Sequence, residues 1–216
     1  MKRIPAIVEV VFDILYLGTG LVIGLVLLCT AGERTPRLLA GTMALVLAGG
    51  DAFHLVPRIR VILTGDGEGL KAALGRGKQI TSITMTLFYL LLWNIGLIEF
   101  SPANSLFWSV SAYILASVRI LLCLMPQNRW SERYSPQNWA IWRNIPFVLQ
   151  GIMVAGLFFV GRNIVPGIRY MYLAIILSFA FYLPVVFWSN RNPKVGMLML
   201  PKSCAYLWML AIALAL

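Results

Sequence analysis

Charged residues are what this chain has least of. Asp, Glu, Lys and Arg make up 12% of its 216 residues, against about a quarter in a soluble globular domain. Acids are the scarcer sign, eight against eighteen Lys and Arg. Histidine occurs once, as His54, and cysteine three times, as Cys29, Cys123 and Cys204. With one histidine and no cysteine at ligand spacing from it, no metal site is expected. The cysteines fall on different apolar stretches and form no C-x-x-C pair, which excludes a disulfide framework. There is no G-x-S-x-G and no recognisable Ser/His/Asp set. The glycine-bearing words Gly65–Gly69 and Gly75–Lys78 fit neither a P-loop nor an EF-hand and read as a flexible linker. No cofactor is expected.

What fills the composition instead is apolar: 60% of the residues are hydrophobic, and the mean hydropathy is +0.82. Crossing about 30 Å of hydrocarbon takes roughly 20 apolar residues in a helix. Runs bounded by Pro, Gly, Asn or charge fall at 5–30, 38–57, 79–98, 104–125, 144–161, 168–189 and 195–216. The expected fold is therefore an all-α, polytopic membrane protein of seven transmembrane helices, as one transmembrane domain over 1–216. No stretch remains for a separate soluble domain. The first run follows Lys2 and Arg3 as a signal peptide would. It is longer than a signal h-region, carries acids and shows no small-residue cleavage site, so it reads as a retained helix.

The net charge of +10 would suggest nucleic acid in a soluble protein, but here the basic residues sit between the apolar runs, and no nucleic-acid partner is expected. Twelve Lys and Arg fall at the N-terminus and in loops 2–3, 4–5 and 6–7, against four (Arg34, Arg37, Arg162, Arg169) on the other side. The positive-inside rule then puts the N-terminus in the cytoplasm. A short, loop-poor chain with no targeting signal points to a bacterial plasma membrane, with membrane lipids as its first partners. In loop 4–5, Trp130, Tyr134, Trp139 and Trp142 alternate with Arg and polar residues and read as an interfacial aromatic belt.

Three short echoes occur four helices apart. Ile4-Pro5 through Glu9 matches Ile145-Pro146 through Gln150; Phe53-His54-Leu55-Val56-Pro57 matches Phe181-Tyr182-Leu183-Pro184; and Lys78 matches Lys202. An even offset makes such repeats parallel, with the fourth helix as linker. The resulting 3+1+3 bundle resembles the sugar-transporting and PQ-loop families, and more distantly the opsins. The alternative is chance likeness among apolar words.

Ionisable groups within a membrane span are costly and turn towards the bundle interior. Helix 1 carries Glu9, Asp13 and Tyr16 on one stripe, and helix 2 carries Asp51, His54 and Arg58 on another. Arg119, Gln150, Tyr182 and Lys202 follow on helices 4 to 7, and Lys78 with several Thr and Ser opens helix 3. Asp51 lies seven residues inside Arg58, about 10 Å at 1.5 Å per residue, and the others fall at similar depth. They form one polar layer in the cytoplasmic half. Buried ion pairs that only fix packing are one reading, though small and hydroxyl residues can hold membrane helices together without them. The other is a ligand-binding cavity built on Glu9, Asp13, Asp51, His54, Arg119, Gln150 and Lys202. The layer's mixed charge suits a zwitterion or a proton-coupled solute, and the expected protein is a transporter of a small polar or amphiphilic molecule, with Pro57, Pro146, Pro184 and Pro201 as hinges or helix breaks. His54 beside Asp51 could relay protons, or could be an inert buried imidazole.

The stretch Gly50-Asp51-Ala52-Phe53-His54-Leu55-Val56-Pro57-Arg58 resembles the GDAxxLxPR segment of the bacterial lysoplasmalogenase-like membrane proteins. That resemblance implies a catalytic carboxylate at Asp51 and hydrolysis of an ether lysolipid. The chain departs from the family pattern in the next helix, where Gly77-Lys78-Gln79-Ile80-Thr81 holds no His, and late in the chain, where Ser178 to Tyr182 holds no acid. Lys202-Ser203 in helix 7 resembles the retinal-linking lysine of opsins and implies a sensor, with Asp13 or Asp51 as counter-ion.

Overall fold

The computed structural model describes residues 3–103, 105–132, 135–189 and 191–216. Lys2, Arg133 and Tyr134, which entered the charge and aromatic readings above, lie outside the described residues. The elements are α1 (Arg3–Cys29), α2 (Thr35–Thr64), α3 (Lys71–Phe100), α4 (Ser105–Leu124), α5 (Gln137–Val160), α6 (Met171–Trp188) and α7 (Met199–Ala213), with no strand among the described residues. All seven helical segments are long and apolar enough to cross a membrane, the architecture of a multi-pass membrane protein. Successive helices pack side by side, and the ring closes where α7 meets α1 and α2; α3 also touches α5 across it. The outer faces stay apolar, with Leu106 and Phe107 of α4 or Val160 of α5 standing fully outward, as lipid contact requires.

Several helices overrun the apolar boundaries, and most do so at one end of the bundle. α2 continues past Pro57 to Thr64 and ends on Gly65, whose positive φ of 76° closes the helix. α3 begins at Lys71 rather than 79, and α5 at Gln137 rather than 144. The expected linker at Gly75–Lys78 is helix. Hydropathy marks where hydrocarbon ends, whereas a helix goes on for as long as its backbone hydrogen bonds do. At 30 residues each, α2 and α3 are about 45 Å long, well beyond the hydrocarbon thickness. At the other boundaries, Pro166–Ile168 and Pro193–Leu198 form 3-10 turns, so α6 and α7 start later than 168 and 195.

The prolines separate into two kinds. Pro57, Pro146 and Pro184 lie inside α2, α5 and α6, where each removes a backbone donor. Pro201 sits in the first turn of α7, just after the 3-10 segment Pro193–Leu198 runs into the α-helix. Pro57 leaves the Phe53 carbonyl without its usual i+4 donor, and α3 passes that carbonyl at Gly77. A Cβ on Gly77 would stand 2.7 Å from His54 Cα. Gly50, about one turn earlier in α2, is pressed against the Thr84 side chain. Small residues at such crossings let two backbones approach in lipid, where apolar burial does not drive helices together.

The end of the bundle carrying the α1–α2 and α5–α6 loops is densely apolar. Leu92, Ile95, Phe158, Met171 and Ile175 are fully buried there. Towards mid-bundle an aromatic cluster takes over: the Phe147 ring packs edge-on to Tyr89 at 5.2 Å and against Phe179 at 5.0 Å, while Phe88 meets Tyr206 at 5.5 Å. The Tyr89 and Ser178 hydroxyls are 3.0 Å apart.

Candidate functional site

The end carrying the α2–α3, α4–α5 and α6–α7 loops is built differently. There the helices part around a partly open cavity of about 370 Å³, within the range of small-molecule sites. Six of the seven helices line it; among the described residues α1 contributes none. α2 contributes His54 and Arg58, and α3 contributes Lys78, Thr81, Ser82 and Met85. Arg119 comes from α4, and Arg143, Asn144 and Phe147 from α5. Tyr182 and Val185 of α6 and Lys202 of α7 complete the wall. Phe147 and Met85 join this wall to the aromatic cluster.

The expected layer of mixed charge is divided by the tertiary structure. Five cations line the cavity, Arg58, Lys78, Arg119, Arg143 and Lys202, and no Asp or Glu does so among the described residues. The acids sit on the α1–α2 side. Glu9 is ion-paired with Arg58. Asp51 accepts a hydrogen bond from the Tyr16 hydroxyl at 2.7 Å and interacts with Lys202 only through space. Asp13 is 5% exposed and has one buried oxygen, Oδ2, without a partner. Gln150 is wholly buried, donating to the Thr86 carbonyl at 3.4 Å with its own Oε1 unpaired. Of the seven residues expected to form a site, His54, Arg119 and Lys202 reach the cavity. Glu9, Asp13, Asp51 and Gln150 lie outside its lining.

The cations are held in unequal ways. Arg119 is 2% exposed and sits over the Phe147 ring, its guanidinium carbon 3.2 Å from the ring centroid. Its Nε and Nη1 are buried with no hydrogen-bond partner, a rare condition for a charged group and one that costs free energy while it lasts. Lys202 has its ammonium 4.9 Å from the Tyr182 ring and 5.1 Å from that of Tyr206. Among the described residues neither its ammonium nor that of Lys78 has an ion-pair partner. Arg143 donates to Asn128 Oδ1 at 2.9 Å and covers the Trp130 ring at 4.3 Å. Trp130 donates to the Cys123 carbonyl at 3.0 Å. Tyr182 donates to Asn144 Oδ1 at 2.7 Å, and the buried Nδ1 of His54 has no partner.

Arg143 and Trp130 were missed as cavity residues because they read as a loop charge and an interfacial aromatic. The early start of α5 brings Arg143 into the bundle, and the cap that Asn128 makes on the Leu122 and Met125 carbonyls, at 2.6 and 2.9 Å, fixes the turn that aims Trp130 inwards. Trp142 does remain on the outside, 61% exposed, as an interfacial belt residue would. The three cysteines are free thiols. Among the described residues no three His, Cys, Asp or Glu side chains cluster as metal ligands.

Comparison with protein-family models, with characterised proteins and with solved structures finds no match for this chain.

Proposed function

We propose that the protein binds a small polar or amphiphilic molecule in the cavity between α2 and α7 and carries it across the membrane. The observation that supports this reading is Arg119. A charged side chain almost wholly removed from solvent, with two unpaired nitrogens on a cavity wall, is stabilised when a ligand supplies the missing acceptors. Packing alone would be served as well by an apolar residue. Transport is the extension of that reading suggested by the asymmetry of the bundle: open at one end, closed at the other by aromatic and aliphatic side chains. Pro57, Pro146 and Pro184 each stand next to a cavity residue, Arg58, Phe147 and Val185, where a broken backbone ladder permits local bending. On the distribution of basic residues, the open end faces the cytoplasm.

Native mass spectrometry of the gently purified protein tests this directly. A small molecule should co-purify with the wild type and be lost from Lys202→Met, and the species so identified should be taken up by proteoliposomes containing the wild type only. Identical spectra for both proteins, with no bound species, would remove the reading. The lysoplasmalogenase-like alternative makes a different demand: turnover of an ether lysolipid by the purified protein, abolished in Asp51→Asn. The opsin-like alternative demands a borohydride-trapped retinal adduct on Lys202.

A further inference from the structure

We propose that the cavity is an anion site and that its ligand is a phosphate ester carrying an apolar or aromatic group. This rests on the reading of the cavity as a ligand site, and it names the ligand's chemistry.

The argument is one of charge, then of shape. Of the five cations on the wall, Arg58 is neutralised by Glu9, and Lys202 shares the field of Asp51. Lys78, Arg119 and Arg143 have no carboxylate at ion-pair distance among the described residues. Three uncompensated positive charges around one space of about 370 Å³ repel one another strongly at reduced dielectric. A cationic or neutral ligand would leave that repulsion in place, and a monocarboxylate would offset one charge. A phosphate monoester brings close to two charges and several acceptor oxygens. It matches the donors present: the orphaned Nε and Nη1 of Arg119, the Lys78 ammonium, and the free N–H groups that Arg143 keeps beyond its bond to Asn128. Arginine is the side chain best suited to such oxygens.

Beside its hydroxyl and amide groups the wall carries Phe147, Met85, Val185 and Met199, an apolar lining against which an organic group gains contact that bare phosphate does not. The same chemistry occurs on soluble phosphate esters and on lipid headgroups, and the experiment separates the two.

The protein is purified in maltoside, in buffer free of phosphate and sulfate, and titrated by calorimetry with phenyl phosphate, benzoate and phenyltrimethylammonium. Phenyl phosphate should bind at least tenfold more tightly than benzoate, and the cation should give no binding. Arg119→Gln should weaken phenyl phosphate at least tenfold. Because that variant is in the interior and could misfold, Lys78→Gln, at a half-buried position, is the second probe and should weaken binding to a similar degree in a protein that elutes as the wild type does. Arg169→Gln, exposed at the opposite end, should leave it unchanged. Micelles doped with lysophosphatidate are compared with soluble phenyl phosphate. Tighter binding of the lipid assigns the site to a headgroup, and tighter binding of phenyl phosphate assigns it to a soluble ester; inorganic phosphate binding as tightly as phenyl phosphate would overturn the apolar group. The proposal is overturned if the cation binds as well as phenyl phosphate, or if Arg119→Gln and Lys78→Gln both bind phenyl phosphate like the wild type. A co-purified zwitterion or cation lost from Lys202→Met would overturn the anion assignment and keep the ligand site. Absence of any ligand would overturn both.

Discussion

Replacing Gly77 with alanine adds one methyl group at the place where α3 runs against α2. The new Cβ would lie 2.7 Å from His54 Cα and the same distance from the Phe53 carbonyl carbon. Carbon atoms pack best at about 3.5–4.0 Å, so the helices must separate by about 1 Å, and the obstacle is backbone that cannot rotate away. Overpacking of this kind costs about 1–3 kcal/mol. Alanine's better helix propensity returns about 1 kcal/mol at most, so the net change should be destabilising. Gly49 is the internal control: it lies on α2, one residue from the Gly50 contact, and a Cβ there meets nothing within 4 Å. Gly49→Ala should therefore be neutral or slightly stabilising. Thermal unfolding in detergent, followed by a thiol-reactive dye on the buried Cys123 in a background lacking the exposed Cys29 and Cys204, should give a lower midpoint for Gly77→Ala than for Gly49→Ala. Equal midpoints would refute the claim that the two backbones touch at this crossing. Because His54 is the residue next to the contact, Gly77→Ala should also weaken whatever the cavity binds, whereas Gly49→Ala should not.

Tyr16→Phe deprives the Asp51 carboxylate of its hydrogen bond, a loss worth about 1.5–3 kcal/mol for a charged acceptor; unfolding measurements should show it, and a stability equal to wild type would mean the bond is not made. Orientation is open to a labelling experiment in a cysteine-free background, in intact bacteria. A thiol at Gly32→Cys, in the α1–α2 loop, should react with an impermeant maleimide from outside. One at Ser189→Cys, on the cavity rim, should react only after the membrane is opened, and the reverse pattern would invert the topology.

The number and order of the helices are legible in the sequence because hydropathy adds residue by residue, and seven apolar runs each long enough to span have one cheap outcome in lipid. The presence of a polar layer is legible for a similar reason: the distance of Asp51, Arg119 or Lys202 from a helix end follows from the 1.5 Å rise alone. Helix ends were less legible, since Gly75–Lys78 and Gln137–Arg143 are polar enough to leave the hydrocarbon and yet continue as helix.

What each polar residue faces belongs to the tertiary structure. Asp51 and His54 share a helical stripe, yet the Tyr16 hydroxyl holds Asp51 while His54 reaches the cavity. Glu9 and Arg58 lie 49 residues apart and neutralise each other, a pairing that exists only once α1 packs on α2. Arg119 shows the same division. Its charge and depth can be read from the chain. Its place over the Phe147 ring and its two unpaired nitrogens depend on helices α4 and α5 meeting at one angle and register. Sequence by itself determined a seven-helix membrane protein with scarce, inward-turned charge, because solvation is a property of segments. Only the packing decided that the acids fall on one seam and the unpaired cations on another, because pairing is a property of distances between segments.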